Sequence, residues 1–130
     1  MSPGVFKQRT KAYALKIIHF TDNLPTSRAN NVMAGQLLRC GTSVGANYRA
    51  ACRSKSAADF ISKMGIVVEE CDESIYWMEL LEDSGKIKKS AVAELKQEGS
   101  EILAMVVASI NTARSHRGNP QSAIRNPQSK

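Results

Sequence analysis

The 130-residue chain is 42% apolar and carries a formal charge of +6, a size and balance suited to one domain around a single core rather than to a disordered polymer. No stretch reaches the ~18 uninterrupted apolar residues of a membrane span. Met1-Ser2-Pro3-Gly4 runs directly into Lys7, Arg9 and Lys11 without the apolar stretch of a secretory leader, so the expected setting is cytoplasmic, with no membrane partner.

The first helix is expected over roughly residues 5–23, where Phe6, Thr10, Tyr13, Ile17, Phe20 and Leu24 recur at steps of four and three. Asn23-Leu24-Pro25-Thr26-Ser27 ends it, because proline lacks an amide donor and restricts the residue before it. A second helix follows over roughly 27–53, with Leu37, Gly41, Val44, Tyr48 and Ala51 turned inward. It carries Gly35, Gly41 and Gly45, each costing about 1 kcal/mol against alanine in an exposed helix interior. Such glycines predict a close helix crossing near Gly41 and Gly45, with Gly65 and Gly99 as facing small positions.

Ser56-Ala57-Ala58-Asp59 has the spacing of a capping box and opens a third helix over roughly 56–83. Phe60, Met64, Val67, Cys71, Ser74, Met78 and Leu81 form its inward stripe. A second row, Ile61, Val68 and Ile75, widens that face, as contact with two bundle neighbours requires. With Trp77, it also offers a surface for a further copy of the chain. Asp83-Ser84-Gly85-Lys86 closes the helix, glycine being suited to a left-handed cap. The fourth helix spans roughly 89–116, with Leu95, Gly99, Ile102, Val106, Ser109 and Ala113 inward. Short connections make neighbouring helices antiparallel, so the fold class is all-α: an up-down-up-down four-helix bundle filling residues 1–117. In residues 118–130, Asn119-Pro120-Gln121-Ser122 recurs as Asn126-Pro127-Gln128-Ser129. That segment is expected to be a disordered tail.

Charge is segregated along the chain. Up to Val68 ten basic residues face only Asp22 and Asp59, whereas Glu69 to Glu101 holds ten acids against four lysines. The basic half exposes candidate phosphate-binding residues: Lys7, Arg9, Lys11 and Lys16 on the first helix, Arg49 and Arg53 on the second. Side-by-side packing of basic and acidic helices would neutralise the same charges. Arg39, Ser43 and Asn47, spaced four apart, share one face of the second helix, with the acids of the third helix as expected hydrogen-bond partners.

Catalytic patterns fail on inspection. Neither His19 nor His116 has the glutamate three positions earlier that a di-iron bundle uses. Gly41-Thr42-Ser43-Val44-Gly45 lacks the lysine and spacing of a phosphate-binding loop. The acidic run Glu69, Glu70, Asp72 and Glu73 is a weak metal signal. Cys40, Cys52 and Cys71 form no CxxC pair and are expected as reduced thiols inside helices, and nothing local supports Cys40 or Cys52 pairing with His19. No catalytic residue, metal ligand or cofactor is assigned.

Leu37-Leu38-Arg39, Thr42-Ser43-Val44-Gly45-Ala46-Asn47, Ser56 with Asp59-Phe60-Ile61 and Lys63, and Glu69-Glu70 with Asp72-Glu73, Trp77 and Leu80-Leu81 together resemble the bacterial 23S rRNA intervening-sequence protein family, also called four helix bundle protein. The resemblance covers nearly the whole chain except the tail. It implies a bundle assembled into a ring-like homopentamer. It also implies a relation to the accessory proteins of diversity-generating retroelements, which resemble basic pentameric barrels that bind nucleic acid and a reverse transcriptase. Arg39, Ser43, Asn47 and Asp59 match the family motif as a polar network, without an established catalytic role.

These readings lead to an expected non-enzymatic homo-oligomeric scaffold with weak, sequence-independent affinity for RNA or DNA. The alternative is an adaptor whose charges serve protein–protein assembly alone. The two differ in whether basic residues outside the acid-paired faces converge on one exposed surface.

Overall fold

In the computed structural model, residues 2–117 are described, so the expected tail at 118–130 lies outside the described residues. Four helices follow one another, α1 (Pro3–Asp22), α2 (Arg28–Ala51), α3 (Ala57–Asp83) and α4 (Lys89–Arg117), each within two residues of its expected bounds. Proline opens α1, where its missing amide would have no helical partner. Ser27 Oγ accepts from Asn30 N at 3.0 Å and so caps α2. Ser56 Oγ accepts from Asp59 N at 3.0 Å at the start of α3. The reciprocal half of that capping box is replaced, because the Asp59 carboxylate meets Lys63 Nζ one turn on, at 3.1 Å. Gly85, at φ +78°, ends α3 in the left-handed region. Gly85 N donates to Glu82 O and Lys86 N to Leu81 O, the paired bonds of a Schellman stop.

Contacts between helices run in opposite chain directions at every seam. Ile17 meets Gly41 while Thr10 meets Gly45, Arg39 reaches Glu70 and Glu73, Glu82 reaches Lys96, and Arg9 reaches Glu98. Each helix packs on its chain neighbours and α1 closes on α4, the least intimate of the four seams. An antiparallel four-helix bundle results.

The core is the set of inward stripes: Phe6, Tyr13 and Ile17 of α1, Leu37 and Val44 of α2, Met64, Val67, Cys71 and Met78 of α3, and Val92, Ile102 and Val106 of α4. The two glycine pairs divide. A Cβ at Gly41 would overlap Ile17 Cδ1, and one at Gly45 would stand 3.1 Å from Thr10 Oγ1, so these glycines set the α1/α2 approach. Gly99 likewise leaves room for Tyr13 and Ile75. Gly65 and Gly35 meet nothing, which corrects the expectation that Gly65 faces a crossing. The Ile61–Val68–Ile75 row widens the inward face of α3 as expected: all three are half-buried and pack against the core. The exposed apolar residues are others, among them Val32, Ile66, Tyr76 and Val107.

Candidate functional site

The middle of the bundle holds a buried polar layer. Ser74 Oγ donates to Cys71 O at 2.6 Å, which leaves the Tyr13 hydroxyl as donor to Ser74 Oγ at 2.8 Å. Cys71 Sγ lies 3.3 Å from Gly99 O. Burial pushes the Cys71 and Cys40 thiols up to about 12 and raises Tyr13 as well. Every group in this layer is neutral at physiological pH and satisfied. The layer fixes helix register and presents no reactive group to solvent. Its members stand on the inward stripes legible in the sequence, where a tyrosine and a serine among apolar residues were the available signal.

A second network crosses the α2/α3 surface, as the spacing of Arg39, Ser43 and Asn47 predicts. Arg39 Nη1 donates to Glu70 Oε1 at 3.0 Å and Nη2 donates to Glu73 Oε2. Ser43 Oγ donates to the same Glu70 oxygen at 2.6 Å. The indole N–H of Trp77 and then the Arg39 guanidinium hold the Glu73 carboxyl below its ordinary range. Two members differ from expectation. Asn47 Nδ2 turns back to Ser43 O at 2.8 Å instead of crossing to α3. Asp59 sits about three turns away from Glu70 at the α3 start, paired with Lys63. The network is also half open to water, with Arg39 51% exposed.

The candidate phosphate-binding residues separate into four groups. Arg9 is withdrawn from the set: its guanidinium forks onto Glu98, both bonds 2.8 Å, and reaches Glu101 at 2.7 Å. These bonds raise its already high pKa and stitch α1 to α4, which corrects the expectation of a solvated side chain. Lys16 lines a separate groove with His19, Phe20 and Glu94 on the α1/α4 side. Arg53 Nη1 turns back to Arg49 O at 3.4 Å.

Lys7, Lys11 and Arg49 come together. They line one groove of about 460 Å³ between α1 and α2, floored by Thr10, Ala14, Thr42, Gly45 and Ala46. The small floor residues follow from the close α1/α2 crossing, which leaves no bulky side chain between the two basic helices. All three cations are exposed. Among the described residues, none of them makes an ion pair with a carboxylate. The groove contains no aromatic residue on which a base would stack. It is an anion-binding surface without a means of reading bases.

The structure does not bring His19 and Cys52 together. His19 borders the Lys16 groove, whereas Cys52 lines a cleft with Pro3 and Lys7 at the opposite end of α1. Among the described residues no group of three His, Cys, Asp or Glu side chains is placed to hold a metal ion. No described helix is long and apolar enough to cross a membrane.

Residues 5–108 match the family described as 23S rRNA-intervening sequence protein. The chain belongs to that family. A similar solved structure is a protein with unknown function from the S23 ribosomal protein family of Bacteroides thetaiotaomicron, 34% identical, with a TM-score of 0.76. The match covers 82% of this chain and 99% of that one. No curated protein matches the chain. In this intervening-sequence protein the Thr42–Asn47 motif therefore serves two seams. Thr42, Gly45 and Ala46 face the α1 groove, while Ser43 joins the α2/α3 network.

Proposed function

We propose that this intervening-sequence protein is a non-enzymatic, homo-oligomeric helical scaffold that binds RNA or DNA weakly and without sequence preference. The observation that carries the reading is the convergence of Lys7, Lys11 and Arg49 on one exposed groove free of carboxylates. Lys7 and Lys11 are one turn apart on α1, about 6 Å along the axis, a spacing that suits successive phosphates of a nucleic-acid strand. Binding by counterion release at three contacts gives a slope of log K on log salt of about −2 per protomer for a single strand. Assembly, as the family resemblance implies, repeats the groove around a ring of five and multiplies weak contacts into useful affinity. Exposed Val32, Ile66 and Tyr76 supply apolar area for such an interface.

The test is fluorescence anisotropy with unrelated RNA and DNA oligonucleotides at low and moderate salt, alongside sedimentation of the protein. Expected are similar affinities for all sequences, a steep fall with salt, and a mass five times that of one chain. No binding even at low salt removes the nucleic-acid reading, leaving the adaptor reading, in which the charges serve protein–protein assembly alone. A monomer at micromolar concentration removes the ring.

A further inference from the structure

At the end of the bundle where α1 begins, a second cleft of about 540 Å³ opens among all four helices. Its walls are largely apolar: Ala51, Phe60, Met105 and Ala108. Tyr48, only 3% exposed, and the Cys52 thiol line it as well. Ser109 and Thr112 add hydroxyls from α4. A concavity of this volume, apolar with a few polar groups, falls in the range of small-molecule sites.

Two features set the charge of the ligand. Lys7, exposed and unpaired with any described carboxylate, borders the cleft. Pro3, the first residue of α1, borders it too, and that helix has neither an acidic residue in its first turn nor a side-chain cap. The amides of Gly4 and Val5 lack helical acceptors, and the positive end of the helix dipole stands at the same mouth. The rings of Phe60 and Tyr48 are almost fully buried and offer no open face on which a base could stack, so these walls do not suit a nucleic-acid strand. They suit a compact organic anion.

We propose that this cleft binds a small amphipathic carboxylate, or its sulfonate analogue, with the apolar body against Phe60, Met105 and Ala108 and the anionic head beside Lys7 and the start of α1. The site is separate from the phosphate groove except for Lys7, which borders both. An occupant therefore draws one cation away from nucleic acid.

Cys52 reports on occupancy, because it lines the cleft while Cys40 and Cys71 are wholly buried. The full chain is titrated with anilinonaphthalene sulfonate, and alkylation of Cys52 by iodoacetamide is followed by mass spectrometry with and without octanoate. One saturable dye site per chain and slower alkylation in octanoate are expected. Lys7→Gln should weaken both ligands about fivefold, the scale of one exposed charge contact. Ala108→Trp fills the cleft from an exposed wall position and should abolish dye binding while leaving RNA affinity and melting temperature unchanged. Dye binding indifferent to both substitutions, or no protection of Cys52 by octanoate, overturns the proposal. Loss of RNA binding with octanoate protection retained would overturn only the function proposed above.

Discussion

The α1/α2 seam and the two seams flanking it treat positive charge in opposite ways. Where α1 meets α4, Arg9 is consumed by Glu98 and Glu101, and where α2 meets α3, Arg39 is consumed by Glu70 and Glu73. Where α1 meets α2, Lys7, Lys11 and Arg49 stay open. The cause is the charge order along the chain. Within α1 and α2 the one acid is Asp22, at the far end of α1, so a seam between two basic helices has no carboxylate to offer. The α2/α3 seam joins a basic helix to an acidic one, while the α1/α4 seam sets Arg9 against Glu98 and Glu101 of a helix whose charges nearly balance. Both neutralise themselves. An up-down-up-down bundle always makes first and second helices neighbours, so segregated charge becomes one open basic groove beside two ion-paired edges. Cohesion of that groove cannot come from its charges, which repel. It comes from Gly41 and Gly45 letting Ile17 and Thr10 approach, and from the core beneath.

The largest expected effect attacks that cohesion. Val44 is fully buried between Gly41 and Gly45, and Val44→Asp places a carboxylate there without a cation, a cost of several kcal/mol. Thermal and urea unfolding should show loss of the cooperative transition or a sharply lowered midpoint. An unchanged melting temperature would mean that the inward face of α2 is misassigned.

Next in size is a loss of binding. Reversing Lys7, Lys11 and Arg49 together to glutamate should weaken RNA and DNA binding more than about tenfold at low salt and flatten the salt slope. The urea midpoint should stay close to that of the wild type, since all three side chains are exposed and three glutamates repel one another much as the three cations do. Equal binding by wild type and variant would break the comparison at its open side.

On the paired side the signs reverse. Arg9→Gln should lower stability by about 1 kcal/mol, the scale for partly exposed pairs with good geometry, and leave nucleic-acid affinity nearly unchanged. Urea unfolding combined with anisotropy separates the two readouts. A variant that binds poorly but unfolds like wild type would place Arg9 back among the phosphate contacts.

The remaining effects appear only away from neutral pH. Glu73 is held below its ordinary range by Trp77 and Arg39. Its contribution is therefore present above the unfolded carboxylate pKa and lost as pH falls through the lowered folded value. Arg39→Gln should blunt that acid limb of the urea midpoint. At the alkaline end, unfolded thiols ionise near about 8.5, whereas buried Cys40 and Cys71 hold their protons to about 12. Above the unfolded value the native state binds more protons, so stability should decline from about pH 8.5 toward 12. Cys71→Ala should flatten this decline, and a slope unaltered by it would assign the alkaline limb to other groups.

Much of this molecule was legible as one-dimensional pattern. Steps of three and four placed most of each inward stripe, because a helix repeats its face at that period wherever its partner lies. In α4, however, Val92 and Ile110 are buried as well, while Ser109 is half-buried beside the cleft. Ser27, Ser56 and Gly85 marked helix ends through bonds that span only a few residues. The partner class of Arg39 and Ser43 was also readable, since the acids of α3 lie one antiparallel connection away. Tertiary structure alone decided which glycine faces a neighbour, separating Gly99, filled by Tyr13 and Ile75, from Gly65, which meets nothing. It alone engaged Arg9 with Glu98 and Glu101 while leaving Lys7 and Lys11 without a carboxylate partner among the described residues. These outcomes depend on rotation about each helix axis and on contacts between residues as distant as Arg9 and Glu98. A periodic sequence specifies that a face turns inward, but which side chain on its margin meets an opposite charge is set only when four helices close into a ring.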